Sequence, residues 1–186
     1  MEERLRPGVL LVGGVNLKDG VFDESVVLLL DHDETGSLGV VLNRFAGVDL
    51  GLVLPGWVGL ATHPARMYDG GPVSPEGAIC LASPTHDSED PPGWRELFDR
   101  VGLLHLDTPV EIAEGAYRAL RIFAGYAGWA PGQLEQELHE RLWYVTDARP
   151  GDAFDSDPTT LWRRCLKRLD GELGWLSTWT DSPELN

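Results

Sequence analysis

The chain has 186 residues, 42% of them hydrophobic, which suits one domain spanning 1–186 with a substantial buried core. Thirty acidic residues against fifteen basic ones give a net charge of −15, and a field of that sign opposes the phosphate contacts that hold nucleic acid. Residues 1–6 lack a signal-peptide core and the longest apolar run, 26–30, is far shorter than the ~20 residues that span a bilayer, so no membrane contact and a cytoplasmic location are expected.

In chain order, residues 9–12 and 26–30 are short apolar runs between turn residues and are predicted as buried strands. The polar stretch 32–37 suits a hairpin leading into a third strand over 38–42, antiparallel to the second. A short helix is expected over 48–54, stopped by Pro55-Gly56. Residues 66–68 are predicted to feed the turn Asp69-Gly70-Gly71-Pro72, with 77–81 continuing as a strand. The proline-rich, acidic stretch 83–93 is expected to be a mobile surface loop, and 102–106 a strand. Thr108-Pro109-Val110-Glu111 has the form of a capping box, opening a helix with Ile112, Ala113, Ala116 and Leu120 inward and giving way near Ala119 to a strand over 121–125.

Leu134, Leu138 and Leu142 recur every four residues and mark an amphipathic helix, with Pro131 placed as its first residue. Residues 143–145 then begin a return strand. Asp157-Pro158 is expected to cap a last helix, with Leu161, Trp162, Cys165, Leu166 and Leu169 on one face and Arg163, Arg164, Lys167 and Arg168 on the other. Antiparallel strands with peripheral helices make the fold class α+β. Cys80 and Cys165 each stand among apolar residues and are expected to be reduced and buried. His32, His63, His86, His105 and His139 lack the short paired spacing of a metal site, and neither a metal nor a cofactor is expected.

The densest local signal runs from Gly125 to Leu138: three glycines and a proline around Tyr126 and Trp129, followed by an acidic helix. Together with residues 8–12, 22–32, Gly39-Val40-Val41-Leu42-Asn43-Arg44, Gly70-Gly71-Pro72-Val73, Trp143, Phe154 and Trp162, it closely resembles the YqgE/AlgH family along nearly the whole chain. The tail, 176–186, is similar to the actinobacterial branch. The resemblance implies a mainly antiparallel sheet partly closed into a small barrel, with peripheral helices, in a family one of whose members carries the label of transcriptional regulator. Three positions depart from the family pattern: Phe45 where proline is usual, Gly13-Gly14-Val15-Asn16 in place of Ala-x-Pro, and Glu24 where a basic residue is common.

Candidate binding residues follow from the same segments. Gly70 and Gly71 could offer backbone N–H groups to an anion, and Arg44, beside Asn43, could clamp a carboxylate or phosphate. Tyr126 and Trp129 could stack on a ligand or partner, or fill the core of a rigid strand-to-helix corner. Gln133 and Glu137, four apart, share a helical face that Glu135 does not. Ser25, Asp31 and His32 have the residue types of a hydrolytic triad, but an extended strand holds Ser25 and His32 roughly 23 Å apart. The reading that results is a non-catalytic binding or regulatory protein with a protein partner or a small anionic ligand. The alternatives are an enzyme acting on a small anionic metabolite with Glu137 as base, and a DNA-binding regulator that uses Arg163 and Arg164.

Overall fold

The computed structural model describes residues 5–169. Within them β1 (Val9–Gly13) and β2 (Val26–Asp33) pair antiparallel, and β2 turns into β3 (Gly36–Val41). The ladder continues through His32↔Ser37 and Asp33↔Gly36, so the hairpin connection is two residues rather than six. Asp33 organises that turn by accepting from the Thr35 backbone N–H and hydroxyl, while Gly36 takes φ +138°, which a side chain would oppose. After α1 (Leu50–Val53), Pro55 begins a 3₁₀ turn, Pro55–Trp57, instead of simply ending the helix.

The short β4 (Tyr68–Asp69) and the long β5 (Val73–Pro84) follow, then β6 (Trp94–Phe98), β7 (Val101–Leu104), α2 (Val110–Ala113) and β8 (Tyr117–Trp129). The chain ends its described part with α3 (Gln133–His139), β9 (Trp143–Asp147), α4 (Pro150–Ala153) and α5 (Leu161–Arg168). The strands form one sheet in the order β6-β7-β5-β8-β3-β2-β1-β9, with β4 added parallel to β8. β8 joins the two parts: Tyr117 to Tyr126 pairs β5, and residues 127–129 pair β3. Near Gly125, at φ +68°, the β5 register slips from Val73↔Tyr126 to Ala78↔Ala124. A bulge of this kind bends a sheet, and here the mostly antiparallel sheet curls into a half-barrel.

Alternate residues along the strands enter opposite cores. Leu10, Val12, Leu28, Val40, Tyr68 and Phe123 fill the interior of the curl, under Leu161, Trp162, Cys165 and Leu166 of α5. Val9, Leu11, Val27, Leu29 and Val41 face Trp129, Leu134 and Trp143 on the outside, beneath α3. A third cluster joins Leu50, Trp57 and Met67 to Cys80, Leu120 and Ile122. Burial on both faces explains why β1 and β2 are continuous apolar runs without polar alternation. Both cysteines are free and buried, as expected; loss of water pushes both thiols above their ordinary value, and at Cys165 the contact from Arg168 partly opposes this.

Several expectations need correction. The Thr108 capping box does not form: Pro109 precedes α2 with no side-chain cap, and the helix ends at Ala113 before Gly115 at φ +71°. Leu120 therefore turns inward from a strand, and Ile112 is exposed. Pro131 lies in the turn closed by Gln133 N–H to the Ala130 carbonyl, and α3 starts only after Gly132. β6, an edge strand, was not expected. The 83–93 stretch is not free: β5 runs to Pro84, Arg100 donates to Asp90 and to the His86 and Glu89 carbonyls, and Arg118 pairs with Asp87. Asp157 caps a 3₁₀ turn, Pro158–Thr160, that precedes α5. Arg168 is drawn inward, donating to Asp152 at 2.9 Å and to Cys165 Sγ at 3.1 Å. The tail resembling the actinobacterial branch lies outside the described residues. Among the described residues no helix is long and apolar enough to cross a membrane.

Candidate functional site

Tight backbone contact around β8 dictates the glycine motifs. Gly70 donates its N–H to the Ala124 carbonyl at 2.8 Å and accepts from Val41 N–H at 2.9 Å, tying β3, β4 and β8 together. A Cβ on Gly70 would overlap the Gly125 carbonyl, and one on Gly71, at φ +143°, would overlap the Tyr126 backbone. The Gly71 N–H donates to Asp69 Oδ1 at 3.1 Å. Both N–H groups considered for an anion are thus engaged within the protein.

The Asn43-Arg44 pair latches a loop. Asn43 Oδ1 accepts from Val26 N–H and its Nδ2 donates to the Glu24 carbonyl, both at 2.9 Å. Arg44 donates to the Val21 carbonyl and, at 2.8 Å, to the Asp23 carbonyl. Glu24, one of the departures from the family pattern, has φ +52° within this held segment.

The loop so fastened presents Phe22 to the aromatic cluster at the end of β8. The Phe22 ring stacks on Trp129 with centroids 6.3 Å apart and meets Trp143 edge-on at 5.7 Å, while the two indoles are 5.9 Å apart. Their N–H groups converge on one carboxylate: Trp129 Nε1 and Trp143 Nε1 each donate to Glu137 Oε2 at 2.8 Å. Gln133 Nε2 donates to Glu137 Oε1 at 2.9 Å, and Gln133 Oε1 accepts from Ala130 N–H at 3.0 Å. Trp129 and Trp143 are 6% and 2% exposed, so Glu137 satisfies donors that burial would otherwise leave unmatched. Gln133 and Glu137 do share a face, as their spacing implies.

The candidates therefore assemble as two structural junctions. Asn43, Arg44, Trp129, Gln133 and Glu137 meet through Phe22, while Gly70 and Gly71 meet the Gly125-Tyr126 backbone. Tyr126 is partly buried against the interior cluster and also lines an open groove of about 420 Å³ with Asp31, Asp33, Thr35, Leu38 and Val73. Hydrogen bonding from Thr35 holds the Asp33 carboxyl below its ordinary range, so Asp33 stays ionised at neutral pH.

The set Ser25, Asp31 and His32 does not assemble. Ser25 is fully buried and donates its hydroxyl to the Phe22 carbonyl, whereas His32 Nδ1 lies 2.8 Å from Ser37 Oγ. His32 Nε2 is 3.8 Å from Glu135 Oε1, an ion-pair distance and too long for a hydrogen bond. This Ser37–His32–Glu135 line escaped the sequence reading because it joins a hairpin to a helix about a hundred residues further on. The two-residue turn was the signal that would have placed Ser37 opposite His32. Among the described residues no group of three or more His, Cys, Asp or Glu is placed to hold a metal ion.

A curled antiparallel half-barrel, locked by an indole–carboxylate knot and glycine junctions, defines the class of fold. The AlgH-like family model matches residues 10–174, and the chain belongs to that family. It is 50% identical over 182 residues to a UPF0301 protein of Streptomyces avermitilis, covering 96% of this chain and 94% of the relative. It is 38% identical over 178 residues to a UPF0301 protein of Mycobacterium tuberculosis, covering 95% and 88%. Both are actinobacterial, in agreement with the branch suggested by the tail. Among solved structures, a Corynebacterium diphtheriae protein superposes with TM-score 0.88 at 29% identity, covering 94% of this chain and 93% of that one. The AlgH protein from Pseudomonas aeruginosa gives TM-score 0.68 at 28% identity, covering 94% of each chain.

Proposed function

We propose that this protein is a non-catalytic binding or regulatory protein of the cytoplasm, and that it receives a protein partner in the groove beside the signature strand. The observation that carries the reading is the open groove at the end of the signature strand, which Tyr126 and Trp129 line together while the Trp129 indole N–H, Gln133 and Glu137 are bonded internally. The internal network gives Tyr126 a rigid backing, and a preorganised surface loses less entropy on binding. Asp31 and Asp33 at the rim, on a chain of net charge −15, favour a partner segment that combines basic residues with an apolar side chain for the Tyr126, Leu38 and Val73 wall.

The test is a binding titration of short peptides, each pairing lysine or arginine with an aliphatic or aromatic residue, against the wild type and an Asp31→Asn/Asp33→Asn variant. Saturable binding that weakens about tenfold or more in the variant, and weakens with salt, supports the reading. Equal binding by both proteins removes the groove from consideration. A catalytic turnover abolished by the same two substitutions would overturn the non-catalytic assignment.

A further inference from the structure

Arg121 is a charged residue inside the half-barrel. It lies on β8 opposite Leu81 of β5 and is 2% exposed. Its guanidinium carbon sits 4.3 Å above the centre of the Tyr68 ring, and Nη1 donates to the Ala153 carbonyl at 3.1 Å. Leu81 lies across from Arg121, Phe123 packs on Tyr68, and Ala153 accepts the Nη1 bond; all three are buried.

The remaining donors are unmatched. Arg121 Nε and Nη2, and the hydroxyl of Tyr68, have no hydrogen-bond partner among the described residues. Nε and Nη2 share one edge of the planar guanidinium, and that edge is the fork that grips both oxygens of one carboxylate. Asp155 is the acid that acts on Arg121, but it is already engaged: Oδ2 pairs with Arg164 and Oδ1 accepts from Asp157 N–H. Burial lowers the proton affinity of Arg121, and the attractions of Tyr68 and Asp155 oppose it; a guanidinium nonetheless keeps its charge near neutrality. Buried cations with open donors are costly, and a water molecule could accept the N–H bonds but would bring no negative charge of its own.

We propose that Arg121 and Tyr68 form an interior receptor for a small planar monoanion of the carboxylate class. Nε and Nη2 take its two oxygens, and the Tyr68 hydroxyl supplies a further donor. One guanidinium balances one negative charge, and the buried side chains of Leu81 and Phe123 beside the pair restrict the ligand to little more than a short aliphatic tail. The site is separate from the groove, whose lining includes neither Arg121 nor Tyr68.

The full-length protein, at matched ionic strength, is titrated with sodium formate and sodium acetate, with sodium sulfate as the control. A saturable rise in melting temperature with formate or acetate is expected, roughly 5–10 °C at a hundredfold excess over Kd, with no saturable rise in sulfate. Arg121→Met should abolish the rise, and Tyr68→Phe should weaken apparent affinity about fivefold. Asp31→Asn/Asp33→Asn should bind as the wild type does, which separates this result from the groove test. Should Arg121→Met fail to fold, Arg121→Lys keeps the charge and loses the fork. The Arg121 Nε–H resonance of the wild type should also move saturably with formate. Equal rises in the wild type and the Arg121 variants, or no saturable shift of either melting temperature or the Nε–H signal, overturn the proposal and leave ordered water as the partner of the fork.

Discussion

Glu137 is where the indole knot can be cut by a single change. Its Oε2 accepts from two indole N–H groups at 2.8 Å and its Oε1 from Gln133 at 2.9 Å. Hydrogen bonds to a charged group contribute about 1.5–3 kcal/mol each, and an orphaned buried donor costs about 1–3 kcal/mol. Glu137→Ala orphans the N–H of two indoles that are nearly buried. The two penalties, eased by the partial exposure of the helix face, give an expected loss of about 3–4 kcal/mol, or ~6–16 °C in melting temperature. Glu137→Gln keeps the shape and one acceptor oxygen and should lose about half as much. Urea unfolding followed by near-ultraviolet circular dichroism reads both stability and the packing of the indoles. The decisive comparison uses a Trp129→Phe/Trp143→Phe background, where no indole donor remains to be orphaned. There Glu137→Ala should cost less than about 1 kcal/mol. A loss within 0.5 kcal/mol of zero in the natural background, on the ~1 kcal/mol scale of a single bond, would refute the argument. So would an undiminished loss in the double tryptophan variant.

Three other outcomes are expected. Gly71→Ala should prevent stable folding, because a Cβ there overlaps the Tyr126 backbone, whereas Gly132→Ala, in open space at φ +76°, should cost only about 1–2 kcal/mol; soluble yield and melting temperature compare the two. Arg44→Ala should release the 21–26 loop, which limited proteolysis would show as faster cleavage there, and Arg44→Lys should rescue only part of the protection because an ammonium lacks the fork that reaches both carbonyls. Neither native thiol should react with a disulfide reagent at pH 8. Burial raises both thiols, so the reactive thiolate is scarce, and reaction should grow only as pH rises further or on addition of denaturant.

Much of the scaffold was legible because the chain carries strong local signals. β1, β2 and β9 are apolar runs between turn residues, and the spacing of Gln133 and Glu137 gave their shared face. The missed parts depend on distant partners. In β6 Arg95 and Glu96 interrupt the apolar residues Trp94, Leu97 and Phe98, so neither a continuous apolar run nor a strict alternation marks this edge strand. Ile112, Ala116 and Leu120 mimic helical spacing by coincidence, and Gly115 settles the matter with a left-handed turn. In the candidate site the residue types were identified, but their satisfaction was not. That the Arg44 fork is filled by carbonyls, or that one carboxylate serves two tryptophans, follows from loops and strands brought together over long separations. Arg121 went unremarked for the opposite reason: among arginines in an acidic chain, nothing local marks the one that faces inward.

The pairing of β1 with β9 has a consequence for synthesis. Every residue of β1 from Val9 to Gly13 faces a residue of β9, and Gly13 opposes Trp143, about 130 residues later in the chain. At ~5–20 residues per second, a ribosome needs roughly 6–26 s to make the intervening chain. Until then β1 can bond β2 on one side while its other edge, apolar and unpaired, stays open to any extended segment nearby. The emerging chain therefore has a defined interval of vulnerability to aggregation, which slower elongation lengthens and a chaperone that shields that edge shortens.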